Sequence, residues 1–461
     1  MQEKFIPPYP RPHKNKADQL KRFFLGLSSW IHTLYEKSYH MKLGEVRLPR
    51  LNIFTVNEKD LVHEVLTDRE GHFPKHYVQH EMLCPLLGES VFSTNGEKWQ
   101  KQRTMLNPAF AHTNLKRVFA MMQDASKELI ELLEAVAIKD DYVHIDPIMT
   151  HVTADIIFRT ILSKKLGAKD AHNIHIAFNK YQTIAQRITT LRLYGLPSFG
   201  LGWLADRYAR HIHQVFKDIT KERYDAFHKK REDGHSLPND DILDALMRAQ
   251  DPDDGSYFSF DDIIDQLSII FLAGHETSAS ALTWSLYLLA HCPHLQQKSY
   301  EEIQKVGQIS FETMRLLKIT ESVFQEALRL YPPVSFFPRE AAHDMTVRDK
   351  NIAKGDMLTI SPWLLHRNKN YWQEPHHFAP ERFTDQESQD KTSIKSCFIP
   401  FGKGPRICIG AGFAKQEAVI ILADIIKNFH ISLKGDHNVE PVSRMTTRPK
   451  SGVYLRFKKR I

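Results

Sequence analysis

Cysteine is scarce. Four residues, at 84, 292, 397 and 408, serve a chain of 461, and no two stand in a C-x-x-C pair. That excludes zinc ribbons and thioredoxin-like motifs. Cysteines this sparse and unpatterned point to a reducing compartment and to no structural disulfides. The 25 histidines lack any carboxylate–histidine spacing of the zinc-protease kind, so His376-His377 and the HIH at 211–213 read as solvated surface. The N-terminus, MQEKFIPPYPRPHKNK, is polar and proline-rich, without the apolar core of a signal peptide. The best nearby apolar run, FFLGLSSWIHTLY, is too short and interrupted to span a bilayer, which takes ~20 residues. It reads as an amphipathic helix, and no transmembrane anchor is expected. No repeat and no low-complexity linker divides the chain. The net charge of +7 is spread along the sequence rather than gathered in a tail, which argues against nucleic acid and suits docking to an acidic protein or weak association with an anionic surface.

What is present is ordinary globular composition, 42% hydrophobic and 25% charged, enough for a large core. From about residue 97 to 330 the pattern reads as helix after helix, as in TNLKRVFAMMQDASKELIELLEAV, with polar breaks such as KREDGHSLPNDD. Strand signals sit toward the ends: GEVRLPRLNIFTVN (44–57), with a proline suited to an edge; MTVRDKNIAKGDMLTIS (345–361), two short strands around a turn; and FHISLKGDHNV and GVYLRFKKR. The expected fold is mainly α with a smaller β region (α+β), with β-rich parts near 44–57, 334–361 and 429–461. Chain ends meeting in one sheet argue for one domain over residues 1–461.

One helix is unusual. SFDDIIDQLSIIFLAGHETSASALTWSLYLLAHCP opens on Ser259 as N-cap with acids at 261 and 262 and stops at Pro293. Its middle, Ala273-Gly274-His275-Glu276-Thr277, sets a glycine and polar residues in an apolar helix. Gly274 costs about 1 kcal/mol there relative to alanine, and Glu276 and Thr277 are costly to bury without partners. Ile270, Ala273, Gly274 and Thr277 share one face, small at its centre and bearing a hydroxyl. Two readings stand: a face for something large and flat with a proton source beside it, or a helix-packing notch with the threonine bonded to its own turn.

ESVFQEALRLYPPV carries Glu326 and Arg329 at i, i+3 among apolar residues, so partial burial is expected, and a buried arginine needs further acceptors. Arg382, in HHFAPERF, completes an acid–arginine cluster that pins a loop to a helix as structural support.

FIPFGKGPRICIGAGFA surrounds Cys408 with glycines. Phe401, Gly404, Cys408 and Gly410 fit F-x-x-G-x-x-x-C-x-G. Glycines let the chain turn its N–H groups toward a metal-bound thiolate, and a following helix would place Cys408 at a positive N-terminus that lowers its pKa. One thiolate with Arg406 beside it suits a haem, sulfur for the iron and guanidinium for a propionate.

With these motifs, in order WQKQR, AGHET, EALR, PERF and the cysteine loop, the chain resembles the cytochrome P-450 family of haem-thiolate monooxygenases over nearly its full length. The resemblance implies that family's fold, with haem b between the long central helix and the cysteine loop. It implies that Cys408 is the proximal metal ligand and that Phe401 packs near its sulfur. Trp99, Arg103, Arg339 and Arg406 match positions that hold the haem propionates. Glu276 and Thr277 resemble an acid–alcohol pair that relays protons to dioxygen, the co-substrate, with Gly274 and Ala273 leaving it room. The remaining cysteines, 84, 292 and 397, read as buried or inert thiols.

The implied reaction is hydroxylation or epoxidation of a hydrophobic small molecule, such as a fatty acid, terpenoid or steroid-like compound. Phe271, Leu272, Val334, Phe336, Phe337 and Thr446 are candidate pocket residues, mostly apolar, although Phe336 and Phe337 serve equally well as core. Without a fused reductase, electrons from NAD(P)H would come through a separate ferredoxin, flavodoxin or reductase, with Lys98, Lys101, Lys395 and Lys403 as a basic docking face. A peroxide-driven peroxygenase and a non-catalytic haem carrier or sensor are the alternatives; the intact Glu276-Thr277 pair speaks against both. A monomeric, cytoplasmic, bacterial enzyme is expected.

Overall fold

The computed structural model describes residues 5–14, 24–165, 167–238, 240–385, 388, 390–435 and 439–460, apart from the side chains of 168–173 and 175. Its helices are α1 (Lys59–Thr67), α2 (Tyr77–Leu87), α3 (Gly96–Leu106), α4 (His112–Ile138), α5 (Ile145–Leu162), α6 (Ala168–Leu193), α7 (Leu201–Glu232), α8 (Ile242–Arg248), α9 (Phe260–His291), α10 (Pro293–Val306), α11 (Lys318–Leu330), α12 (Pro362–Leu365), α13 (Glu381–Thr384), α14 (Lys391–Cys397) and α15 (Ala411–Asn428). The strands are β1 (Leu43–Arg47), β2 (Asn52–Val56), β3 (Val143–His144), β4 (Phe337–Glu340), β5 (Met345–Val347), β6 (Lys350–Ile352), β7 (Met357–Ile360), β8 (Phe429–Leu433), β9 (Pro441–Ser443), β10 (Thr447–Pro449) and β11 (Tyr454–Lys459). The fold is α+β and mainly helical, as expected.

α9 is the axis of the helical part. Ser259 accepts from the Asp262 N–H at 3.1 Å and Asp262 reaches back to the Ser259 N–H at 3.1 Å, a full capping box. Its 32 residues extend about 48 Å at 1.5 Å per residue. Nearly every side chain on it is buried, against α5 on one side and α11 and α15 on the other. The approach to α5 is close: a β-carbon on Gly274 would lie 3.0 Å from the Ile157 side chain, and Thr153 donates to the His275 carbonyl at 2.9 Å. The glycine therefore answers a helix–helix contact.

The β part joins distant segments. β1 and β2 form an antiparallel hairpin, and β2 runs parallel to β7, which pairs with β4. Residues 44–57 are thus two strands turning near Pro49, where alternation alone suggested a single strand. Residues 345–361 hold three strands, with β5–β6 a separate hairpin. Phe54, Leu358, Ile360 and Trp372 form a small core beneath this sheet, apart from the large helical core. The FFLGLSSWIHTLY segment is not one amphipathic helix. Among its described residues Trp30–Thr33 make a 3-10 turn, with Trp30 set edge-on to Phe336 at 4.6 Å.

Glu326 and Arg329 of α11 are wholly buried. They pair through two bonds of 2.7 Å, and Arg329 also donates to the carbonyls of His366, Pro375 and His377. Arg382 on α13 stands 3.4 Å from Glu326 and bonds Asp390 and the Gln373 carbonyl. His366, which drew no attention in the sequence, continues the chain of contacts. Burial and the nearby arginines push it well below its ordinary pKa, so it is neutral, and its Nε2 accepts the Ile399 N–H at 3.0 Å. That bond fixes the strand of chain that enters the cysteine loop.

Candidate functional site

A cavity of about 1230 Å³ lies between α9 and the cysteine loop. Its floor is Phe401, Cys408 and Gly410; its roof is Ile270, Ala273, Gly274 and Thr277. The roof residues fall at i, i+3, i+4 and i+7, one helical face. Ala273, Gly274 and Thr277 are open to the cavity along a stretch of α9, residues 269–281, that is otherwise buried.

The floor is shaped by backbone. The Cys408 N–H donates to the Phe401 carbonyl at 2.8 Å. Gly404 sits at φ +73, where a β-carbon would come within 2.2 Å of the Leu66 carbonyl oxygen on α1; only glycine both adopts that angle and permits that approach. α15 begins at Ala411. Its N-terminus does not dominate the thiol as expected. Cys408 is open to the cavity, but the protein packed around it withholds solvent and pushes the thiol above its ordinary pKa, with the Gly410 N–H and the Arg103 charge pulling the other way. A cation against the sulfur would reverse that balance.

Cations gather at one wall. Arg103 donates to the Ile407 carbonyl at 2.8 Å. Arg406 lies over the Trp99 ring at 4.1 Å and bonds Asn95 at 2.8 Å. Arg339 of β4 and Lys75 complete the group, and all four line the cavity. Lys75 is buried, donates to the carbonyls of Val91 and Phe92, and is missing from the sequence reading because a single lysine in FPKHYV matches no motif. Burial depresses all four, Arg339 and Arg406 to about 10, and the neighbouring cations depress Lys75 further. Among the described residues none of them is ion-paired with a carboxylate. Lys75 and Arg339 are buried and Arg103 and Arg406 half-buried, with Asp68 the nearest counter-charge to the two arginines of β4 and the cysteine loop; such a cluster is costly unless a further anion joins it. A thiol on the floor and a polycationic wall fit a haem, whose iron takes sulfur and whose two propionates take the charge.

Glu276 points away from the cavity. It accepts from Arg448 at 2.7 and 3.1 Å, from Thr446 at 2.8 Å and from Gln182 at 3.3 Å. Burial would raise its pKa, but Arg448 overrides this and holds it at about 2. In this arrangement it is a fixed carboxylate. Thr277 donates back to the Ala273 carbonyl at 2.6 Å. Both readings of the notch therefore hold together: the face opens on a cavity, and the threonine bonds its own turn.

Three expected pocket residues are corrected. Phe271 and Leu272 fall outside the lining face of α9, and Phe271 packs against Phe158, Phe216 and His275. Thr446 holds Glu276 instead, and its neighbour Met445 lines the cavity. Val334, Phe336 and Phe337 do line it. The basic docking face is reduced: Lys98 pairs with Glu89 at 3.3 Å and Lys101 with Asp251 at 2.6 Å and Asp254 at 3.0 Å. Cys292 and Cys397 are buried, whereas Cys84 is only half-buried.

A family model described as Cytochrome P450 matches residues 18–457. The chain is 30% identical over 402 residues to Cytochrome P450 4V2 of Pongo abelii, covering 83% of this chain and 76% of that protein. It is 31% identical over 423 residues to a cytokinin hydroxylase of Arabidopsis thaliana, covering 89% and 79%, and 30% identical over 402 residues to Cytochrome P450 4V2 of Homo sapiens, covering 83% and 76%. These relatives come from animals and a plant, which overturns the expectation of a bacterial cytoplasmic protein. No helix among the described residues is long and apolar enough to cross a membrane.

Proposed function

The chain belongs to the cytochrome P450 family and is a haem monooxygenase, and from that premise we propose that it hydroxylates or epoxidises a hydrophobic small molecule, of the fatty acid, terpenoid or steroid-like kind, with electrons from a separate NAD(P)H-linked partner. The observation that carries this reading is the cavity with Cys408 on its floor, the small Ala273–Gly274 face with the Thr277 hydroxyl on its roof, and apolar side chains such as Met82, Phe92, Val334 and Phe336 around it. Haem, when bound, supplies the chemistry that activates dioxygen and inserts one of its atoms.

The chain's own residues do the rest. Cys408 offers sulfur to the iron. Lys75, Arg103, Arg339 and Arg406 take the propionates, with Trp99 stacked beneath Arg406. Thr277 holds a proton at Oγ1 on the cavity wall and must turn from the Ala273 carbonyl to pass it on. Glu276 serves proton delivery only if it leaves Arg448, since a carboxylate held at about 2 carries no proton to give. Lys395 and Lys403, which have no acidic partner among the described residues, remain as the cationic face for the electron donor. Residues 1–461 act as one domain in this reading, supported by the sheet that pairs β2 with β7.

The test is spectroscopic. Reduced protein under carbon monoxide should show a thiolate-ligated haem band that Cys408→Ser abolishes. Apolar ligands should shift the ferric spectrum and drive NAD(P)H consumption with surrogate partners. A protein that keeps the band in the serine variant would refute the ligand assignment; one that binds only charged ligands would refute the substrate class.

A further inference from the structure

One cluster of ligating side chains has no part in the cavity chemistry. His80 and Cys84 lie one turn apart on α2 and so face the same way. The helix ends at Gly88, φ 54, where a β-carbon would fall 2.0 Å from Asp265 Oδ1 of α9. Glycine alone fits, and the chain doubles back. Asp265 then accepts the Glu89 N–H at 2.8 Å, which anchors Glu89 over the His80–Cys84 face. Its Oε1 stands 3.0 Å from His80 Nε2 and 3.6 Å from Cys84 Sγ. The three donor atoms lie within 4.8 Å of one another.

Those spacings have a meaning for a metal. Tetrahedral zinc, with bonds of about 2.0–2.2 Å to nitrogen and oxygen and about 2.3 Å to sulfur, needs N···O and S···O edges of about 3.4 and 3.5 Å. The protein already holds edges of 3.0 and 3.6 Å. Imidazole, thiolate and carboxylate together suit zinc rather than calcium or magnesium, which take oxygen alone. All three residues are half-buried, so water can complete the shell. We propose that His80, Cys84 and Glu89 form a zinc(II)-binding site that ties α2 to the segment leading into α3.

Two features oppose binding and make it measurable. Lys98 Nζ lies 3.3 Å from the other Glu89 oxygen. The Cys84 thiol is pushed up to about 11 by burial and the Glu89 charge, so zinc must displace its proton and binding tightens as pH rises. The charged and titratable groups facing the thiol are His80 and Glu89, Lys98 of α3, Tyr181 of α6 and Asp265 of α9. α2 also lines the cavity through Val78, Gln79, Met82 and Leu83, so a zinc tie would stiffen one cavity wall and slow ligand exchange.

Titration calorimetry of the haem-loaded protein with zinc chloride, in two buffers of different ionisation enthalpy, tests this. Expected are one site, proton release, and a zinc-edge absorption spectrum with one sulfur at about 2.3 Å. Cys84→Ser and His80→Ala should each weaken the site at least tenfold with the haem spectrum unchanged, and Lys98→Met should tighten it. Absence of binding overturns the proposal. So does zinc bound without sulfur, or bound equally by the wild type and Cys84→Ser.

Discussion

Replacing Arg448 by alanine isolates the electrostatics of the roof helix. Arg448 is what holds the Glu276 carboxyl at about 2 rather than 4.5. At about 1.36 kcal/mol per pH unit, that depression is worth about 3 kcal/mol at neutral pH, in line with the roughly 3–5 kcal/mol lost when a buried pair is left with one partner. A folded-state pKa below the unfolded one stabilises fully above about 4.5 and loses its effect as pH falls toward about 2. In the alanine variant burial is opposed only by His275 and the Thr446 hydrogen bond, the folded carboxyl rises above its unfolded value, and the sign reverses: stability now falls as pH climbs above about 4.5. Denaturant midpoints near pH 8 and pH 5 for the wild type, Arg448→Ala and Arg448→Ala/Glu276→Gln measure this. The deficit of the single variant should be at least about 3 kcal/mol at the higher pH and smaller at the lower, and the double variant should recover part of it. A loss under about 1 kcal/mol near pH 8, a deficit equal at both pH values, or no recovery would refute the assignment of Glu276 as a buried charge balanced by Arg448.

Lys75→Met should act oppositely on the two forms of the protein: it relieves repulsion among the cavity cations and raises the melting temperature of haem-free protein, yet it speeds haem loss to a scavenging globin. Gly404→Ala should lower haem content in purified protein severalfold, read from the ratio of Soret to protein absorbance, because the added methyl meets the Leu66 carbonyl oxygen at 2.2 Å. Glu326→Gln removes the charge opposite the wholly buried Arg329 and should cost about 3–5 kcal/mol in denaturant unfolding. Ile270→Ala should change the ligand-induced spectral shift, whereas Leu272→Ala should change stability alone.

Much of the architecture was legible because its signals are local. The capping box at Ser259, the helical face of Ile270, Ala273, Gly274 and Thr277, and the glycines around Cys408 are all readable within a few residues. The failures share a cause. Phe271 and Leu272 read as apolar pocket candidates, yet each residue of a helix turns about 100° from the last, and these two fall outside the face that lines the cavity. The partners of Glu276 are Arg448 and Thr446, 172 and 170 positions away, and no local pattern announces them. Lys75, His366 and the tie of Lys101 to Asp251 and Asp254 are likewise contacts made by the fold. Gly274 read either as room for a flat group or as a packing notch, and its absent side chain does admit Ile157.

The cation wall has a consequence for how the protein comes into being. Its four charges come from positions 75, 103, 339 and 406, and the sulfur from 408. No contiguous stretch contains the site, and bringing its parts together means closing loops of hundreds of residues, the slow part of folding. The four charges repel until they are assembled, so the last packing step is uphill without an anion. A prosthetic group that binds only the finished arrangement then drives that step by mass action. Haem supply, rather than chain synthesis, would set how much of this protein exists in its mature form.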